Sequence, residues 1–444
     1  MANATLSPAA GHGAATIDAA ARATPAASAA AQTVLLIEPN FSGHRWRYAQ
    51  WAAEAFVEAG HACVLVTESR NEDHRLARRI AAAGRSDLEI AFVDPPAPSG
   101  GVFAALDRIP YWRYHRYFRH AYRLVTEFAP VSLVAVPYVD YFLYAVPFLG
   151  SPFGSTPWIG VTMRSSFHHR SVGVKAPDRR IVNAVKACLF RQAVRAPGVR
   201  ALLSIDPTLP EWSARALGAR AASVRYLADP FPDARADDPA RARARLGLPP
   251  GRYLLVYGAI TDRKGIRELV AALECMDEAP TLVVAGEQDA QIREFLGVHA
   301  GRLTPAPVVM DSFVTNETEL DLFSACDAVW LGYKGHYGMS GVLVQAYRFR
   351  RPVIATAEGL IGWFCRDGSL GPVIDDLSPE SIARAIDRAL SLPLPVPVPH
   401  GTAAGAYDES TQHECLLERN TLEQFKRTLR EAMGTAEPRQ PSIA

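Results

Sequence analysis

The run Val256-Tyr257-Gly258-Ala259-Ile260-Thr261-Asp262-Arg263-Lys264-Gly265-Ile266 reads as a strand ending at Gly258, a short loop exposing Arg263 and Lys264, and a helix beginning near Gly265. Two cations beside a helix N-terminus, where free N–H groups point outward, suit a diphosphate. The same run also reads as an exposed Lys-Gly turn with nothing bound.

Working outward, the pattern alternates. Beyond the loop come a helical period over 266–274, apolar runs at 281–285 and 308–310, a helix over 317–326 and a strand over 328–332. A helix over 341–349, a strand over 352–355 and a helix over 379–392 follow. Strands alternating with helices predict a parallel sheet covered on both faces. The amino-terminal part shows the same habit: Thr33 to Ile37, a helical stripe through Trp46, Ala49, Ala53 and Phe56, then Cys63 to Thr67, with further runs at 89–93, 131–137, 158–161 and 201–205. The fold class is therefore α/β, with two Rossmann-like domains at 32–232 and 233–395. Pro and Asp in Asp229-Pro230-Phe231-Pro232-Asp233, followed by a charged Ala-rich stretch to Arg245, fit a linker. Residues 1–31 read as a disordered Ala-rich tail. Residues 396–444 read as a proline-rich loop and a last helix over about 412–433, able to cross back to the first domain. Ligands bind at the carboxyl ends of parallel strands, so a cleft between the domains is the default site.

Composition narrows the function classes. Of 444 residues, 47 are Lys or Arg and 46 are Asp or Glu, so no global field would hold a nucleic acid. The six cysteines lie far apart without zinc spacing, which suits a reduced, cytoplasmic setting. No stretch reaches the ~20 apolar residues that a membrane span needs. No GxGxxG follows a predicted strand, which argues against a dinucleotide-dependent oxidoreductase.

A second junction strengthens the phosphate reading. In Tyr333-Lys334-Gly335-His336-Tyr337-Gly338-Met339-Ser340-Gly341-Val342-Leu343-Val344-Gln345-Ala346, small residues open a helix after a strand, and Ser340 is placed as N-cap or donor. Gln345 lies one turn inside that helix. A plain Ser-Gly cap is the alternative.

With Gly258, Lys264, Gly265, Ala285-Gly286-Glu287, Ser340-Gly341, Arg351-Pro352-Val353-Ile354-Ala355-Thr356 and Gly359, the second domain resembles the donor domain of GT-B glycosyltransferases, most similar to family 4. The resemblance implies that Lys264 grips the donor diphosphate. It implies donor-binding roles for Gly258, Glu287, Tyr337, Ser340, Gly341, Gln345 and Gly359, and places Gly43, His44 and Arg45 near the acceptor or donor phosphates. The family's loop Arg falls on Ala259, so Arg263 supplies a cation from another position. Its two glutamates fall on Tyr337 and Gln345; Gln345 still hydrogen-bonds ribose hydroxyls, whereas Tyr337 does not accept as a carboxylate does. No DxD stands at a strand end, so the expectation is a metal-independent transferase without a cofactor. The resemblance implies retention of anomeric configuration. It implies a nucleotide-diphosphate sugar as donor and a glycan or lipid-linked acceptor, in polysaccharide or cell-surface glycan synthesis. A non-hydrolysing sugar-nucleotide epimerase and a nucleotide-sugar-binding pseudoenzyme are the rivals.

Two other stretches stand out. Met163-Arg164-Ser165-Ser166-Phe167-His168-His169-Arg170 follows a strand, placing Arg164 in the cleft and His168 as a phosphate ligand or proton carrier. Residues 111–123 hold six aromatics, four Arg and two His with no acid, which suits an anionic membrane interface at the inner face of a membrane. A helix with rings on a sheet and Arg snorkelling outward is the alternative.

Overall fold

The computed structural model describes residues 33–43, 45–98, 101–230, 236–366, 369–392 and 419–434. His44, the tail 1–31 and residues 393–418, on which several expectations fall, lie outside them.

Among the described residues, thirteen strands build two parallel sheets. The first contains β1 Thr33–Ile37, β2 Ala62–Thr67, β3 Leu88–Phe92, β4 Val131–Val136, β5 Trp158–Thr162, β6 Val199–Ser204 and β7 Val224–Tyr226, in the order β3-β2-β1-β4-β5-β6-β7. The second contains β8 Tyr253–Tyr257, β9 Thr281–Ala285, β10 Val308–Met310, β11 Ala328–Leu331, β12 Val353–Thr356 and β13 Val373–Ile374, in the order β10-β9-β8-β11-β12-β13. Every residue of β1, β11 and β12 is buried, as expected of central strands covered on both faces. The helices Ile266–Glu274 and Pro379–Ser391 supply Leu269, Val270, Leu273, Ile382 and Ile386 to the core around Trp330.

The described residues form two compact units, one from those within 33–160, 196–200 and 432–434, the other from those within 161–195 and 201–431. Much of 161–232, assigned by sequence to the first domain, falls in the unit that also holds the second sheet, although β6 and β7 are strands of the first sheet. Contacts explain this: the Gly359 N–H donates to Lys175 O at 2.8 Å, Lys175 pairs with Asp375 at 3.1 Å, and the Asn420 amide donates to Asp229 O at 2.9 Å. Part of the expected linker is a helix, Pro239–Leu246, capped by the Asp238 side chain. Arg243 fixes it to Asp327 at 2.9 Å, and Arg245 to Asp321 at 2.6 Å.

The aromatic-Arg stretch forms the helix Pro110–Thr126, which buries His115, Tyr117, Phe118, Ala121 and Val125. Phe118 packs 4.6 Å from Phe142, while Arg116 reaches Asp107 at 2.5 Å and Arg119 reaches Leu149 O at 3.4 Å. Tyr117 and Phe118 serve the core, Trp112, Tyr114 and Tyr122 are half-buried, and Tyr111, Arg113 and Arg123 are exposed.

Candidate functional site

In the second sheet the chain leaves β8 toward β9 and leaves β11 toward β12, so the loops after β8 and β11 part at a topological switch point. Both phosphate-site candidates occupy it. After β8, Gly258 turns beneath Gly286, which has φ +135°; a Cβ on Gly286 would lie 2.0 Å from Gly258 O, so only glycine fits. The short turn Asp262–Lys264 then leads through Gly265, at φ +66°, into the helix Ile266–Glu274. Trp330 on β11 locks the turn, its indole N–H donating to Lys264 O at 2.7 Å.

The expected exposure of both cations is corrected for one of them. Arg263 is exposed, but Lys264 is buried at 8%. Its Nζ donates to Tyr257 O at 2.5 Å and to the Tyr333 hydroxyl at 2.8 Å, and lies 4.5 Å from the Tyr333 ring centroid. Two of its three N–H donors are thus used within the described residues, and the charge faces Gly258, whose ideal Cβ would be 3.6 Å away. Lys334 answers the local acids instead, pairing with Asp262 at 2.8 Å and Glu268 at 2.9 Å, while its N–H donates to Arg263 O at 2.7 Å. The two junctions therefore share one network.

His336, to which the sequence reading gave no role, lies beside that network. Its ring lies edge-on 5.5 Å from Tyr333, and Nε2 donates to Met339 O at 3.3 Å. Burial, then the charges of Arg263 and Lys264, push it down to about 4, so it is neutral at pH 7. The unfolded chain takes up this proton near 6.5 and the folded chain near 4. Between those values the unfolded state binds more protons, so stability falls as pH drops from about 6.5 to about 4. His336→Gln should flatten that limb when urea midpoints are followed against pH. Parallel limbs for the two proteins would show that the ring titrates normally.

At the second junction, Ser340 occupies the N-cap position of the helix Gly341–Arg348, but its side chain makes no capping bond, contrary to one of its expected roles. Gln345 is 1% exposed, and its Oε1 has no hydrogen-bond partner among the described residues; Nε2 of Gln288, 7% exposed, is in the same state. An unmet buried amide atom costs about 1–3 kcal/mol, which a ligand hydroxyl would recover. Tyr337 is half-buried, and burial followed by the nearby Glu358 charge raises its hydroxyl above the ordinary value, against Arg179. Gly359 packs on it so closely that a Cβ would lie 2.6 Å from Tyr337 Cα. Glu287 is exposed just beyond Gly286, and its carbonyl accepts from the Ile260 N–H at 2.9 Å.

The remaining candidates separate. Arg164 is exposed, but His168 is enclosed. Its Nε2 lies 3.0 Å from Asp206 Oδ2 and 3.1 Å from Thr208 Oγ1, and His169 Nε2 lies 2.8 Å from the same carboxylate oxygen. Burial lowers His168, with Asp206 opposing. Burial works to raise Asp206, but the two imidazole hydrogen bonds hold it well below the carboxylate range. Among the described residues these three are the only group of metal-ligand type, with ligand atoms within 4.8 Å of one another, and all are engaged in mutual hydrogen bonds. His168 is thus buried against Asp206, and the Nδ1 atoms of His168 and His169 have no hydrogen-bond partner among the described residues. Asp206 stands two residues past β6, a strand-end position that could have flagged it.

In the first unit, Gly43 is exposed at φ +62°, and Arg45 donates to the Tyr141 hydroxyl at 2.9 Å, which donates to Glu38 Oε1 at 2.9 Å. Glu38 directly follows β1 and is fully buried; burial raises it to about 8 against Asn40 N–H, Tyr141 and Arg45. Nothing in local sequence distinguishes this acid from a solvated one.

Residues 251–391 match the model of the family described as Glycosyl transferases group 1. The "Putative teichuronic acid biosynthesis glycosyltransferase TuaC" of Bacillus subtilis (strain 168) is 32% identical over 148 residues, 33% of this chain and 35% of that protein. The chain spans little more than a third of the length of the curated relatives it matches. Among solved structures, sucrose-phosphate synthase from Thermosynechococcus elongatus superposes with TM-score 0.60 at 15% identity, covering 91% of this chain and 97% of that one. Anabaena Alr3699/HepE in complex with UDP-glucose gives TM-score 0.58 at 13% identity, covering 91% and 100%. The two sheets are those of the GT-B fold.

Proposed function

We propose, from the match of residues 251–391 to the model of the Glycosyl transferases group 1 family, that this chain is a glycosyltransferase moving a sugar from a nucleotide diphosphate to a glycan or glycolipid acceptor. The observation that carries the reading is the meeting of Arg263, Lys264, His336 and the Gly341–Arg348 helix start at the switch point of the second sheet. Transfer breaks the bond between the anomeric carbon and the phosphate oxygen, and the barrier falls as the leaving diphosphate is neutralised. Lys264, Arg263 and the helix N–H groups do this without a metal ion. Neutral His336 leaves both cationic charges for the anion. Gln345 Oε1 takes a ribose hydroxyl, and Tyr337 with Glu358 lines the sugar side. Gly43, Arg45 and Arg164 serve the acceptor. Retention follows if the departing phosphate takes the acceptor proton, since no enzymic nucleophile is invoked. The naming of the Bacillus relative for teichuronic acid biosynthesis supports a polymer acceptor. A cytoplasmic setting is part of the proposal, supported by five free cysteines among the described residues. No helix among these residues is long and apolar enough to cross a membrane.

Saturation-transfer NMR against UDP-, GDP-, ADP- and TDP-sugars tests the reading. One donor class should bind, and release of nucleoside diphosphate should depend on acceptor. An epimerised donor formed without acceptor would favour the epimerase. Binding without transfer across an acceptor panel would favour a binding protein, and absence of nucleotide binding would remove the assignment.

A further inference from the structure

Loops after two neighbouring strands of the first sheet bring three side chains of ligand type together. β5 leads into the turn that carries His168 and His169, and Asp206 stands two residues past β6, the strand beside it. His168 and His169 are each 1% exposed, and Asp206 is 5% exposed. Oδ2 of Asp206 lies 3.0 Å from His168 Nε2 and 2.8 Å from His169 Nε2. The other oxygen is taken: Oδ1 accepts from the Thr208 N–H at 2.8 Å and from the Thr208 hydroxyl at 2.6 Å. The carboxylate is thereby held with one oxygen turned to both imidazoles, as an outer partner holds a metal-ligating carboxylate.

Hydrogen bonding alone accounts for this arrangement incompletely. A buried carboxylate is ordinarily paired with a cation, yet among the described residues no Lys or Arg meets Asp206. Two imidazoles converge on one of its oxygens, and no donor faces either Nδ1. The Nδ1–H tautomers, which turn both Nε2 lone pairs toward Oδ2, are therefore open to the pair, and in them a cation among the three atoms replaces repulsion with attraction. Two imidazole nitrogens and a carboxylate oxygen are a donor set that Zn²⁺ takes. Ligand atoms about 2.0–2.1 Å from a tetrahedral ion stand about 3.3 Å apart, so the separations here need open by at most about half an ångström. The rings of Phe167 and Trp212, 5.3 Å and 6.2 Å from that of His168, wall the cluster with apolar surface, as suits an ion that holds structure.

We propose that His168, His169 and Asp206 bind a divalent transition-metal ion, Zn²⁺ by their donor set, which staples the loop after β5 to the loop after β6. The fourth position falls to water or to Thr208 Oγ1, 3.1 Å from His168 Nε2. Arg263 and Lys264 are not among the ligands, so this site stands or falls apart from the transfer reaction.

Titration of the full, tag-free chain with Zn²⁺ alone, after stripping with a chelator, tests it. The chain should take up about one equivalent and melt at a higher temperature. Co²⁺ in place of Zn²⁺ should give the intense visible absorption of a tetrahedral site and shift the ring protons of two histidines. His169→Gln and Asp206→Asn should each weaken Co²⁺ binding more than about 100-fold, and Thr208→Val, which removes an outer partner, about 10- to 100-fold. Replacing the exposed Cys188 and Cys275 together by Ser should leave binding unchanged. Melting of each metal-free variant reports its fold, and the Co²⁺ spectra of the unaltered chain decide the ligands if a variant unfolds. Four outcomes overturn the proposal: no uptake by the unaltered chain, uptake without the tetrahedral spectrum or the shifted ring protons, full binding by folded His169→Gln and Asp206→Asn proteins, or loss of binding with the cysteine pair.

Discussion

Replacing Lys264 by Met lowers donor turnover about 100- to 1000-fold, the loss associated with removing one preorganised stabiliser of developing charge. Met keeps most of the side-chain volume in a site only 8% exposed and removes the ammonium that Tyr257 O and the Tyr333 hydroxyl now hold. The effect should fall on kcat/KM for the nucleotide sugar, because the diphosphate carries its full charge only as it leaves. A second readout separates electrostatics from collapse. With one of its two cationic neighbours gone, His336 should titrate above about 4, nearer its ordinary 6.5, a change visible in its ring proton shifts. Unchanged turnover and donor affinity in a folded Lys264→Met protein would remove the diphosphate role from this turn. An unmoved His336 titration would remove the network that links the two junctions.

Replacing Trp330 by Ala costs about 3–5 kcal/mol of stability, the range for emptying a buried aromatic site. Trp330 is 0% exposed and stands at the middle of the second core. Its ring also shapes the site: an ideal Cβ on Gly332 would lie 2.0 Å from Trp330 Cζ2, and one on Gly265 would lie 3.6 Å from the same atom. The indole N–H holds Lys264 O at 2.7 Å, so loss of the ring frees the turn that presents the cations. Trp330→Phe keeps most of the packing and removes that bond, at about 1 kcal/mol, and should weaken donor binding more than it lowers the urea midpoint. A Trp330→Ala loss below about 1 kcal/mol would mean that the core closes over the gap and that the ring is not what sets the turn.

Much of the scaffold was legible from periodicity. The helix over 266–274 and the strands over 281–285 and 308–310 appear with the bounds read from the sequence, because each is a short apolar run or stripe punctuated by Gly, Pro or Asp. The short strands β7 and β13 and the helix Arg180–Val194 were missed. Two or three residues of strand carry no period, and a helix whose apolar stripe faces outward does not announce a core. The glycines at 258, 265 and 286 and the cations at 263 and 264 were readable as a strand-to-helix junction because the chemistry there is local.

What the order of residues determined by itself was the α/β architecture, the two strand-to-helix junctions of the second sheet, and a near balance of positive and negative charge. Folding decided the rest. Lys264 became a buried cation under Tyr333, 69 residues away, His168 became a partner of Asp206 across 38 positions, and residues 161–195 joined the unit that holds the second sheet. Periodicity records which face of an element is apolar, but burial of a charge, loss of a proton from an imidazole and membership of a compact unit depend on what distant segments place beside it. These are properties of three-dimensional neighbours, and no local window of sequence contains them.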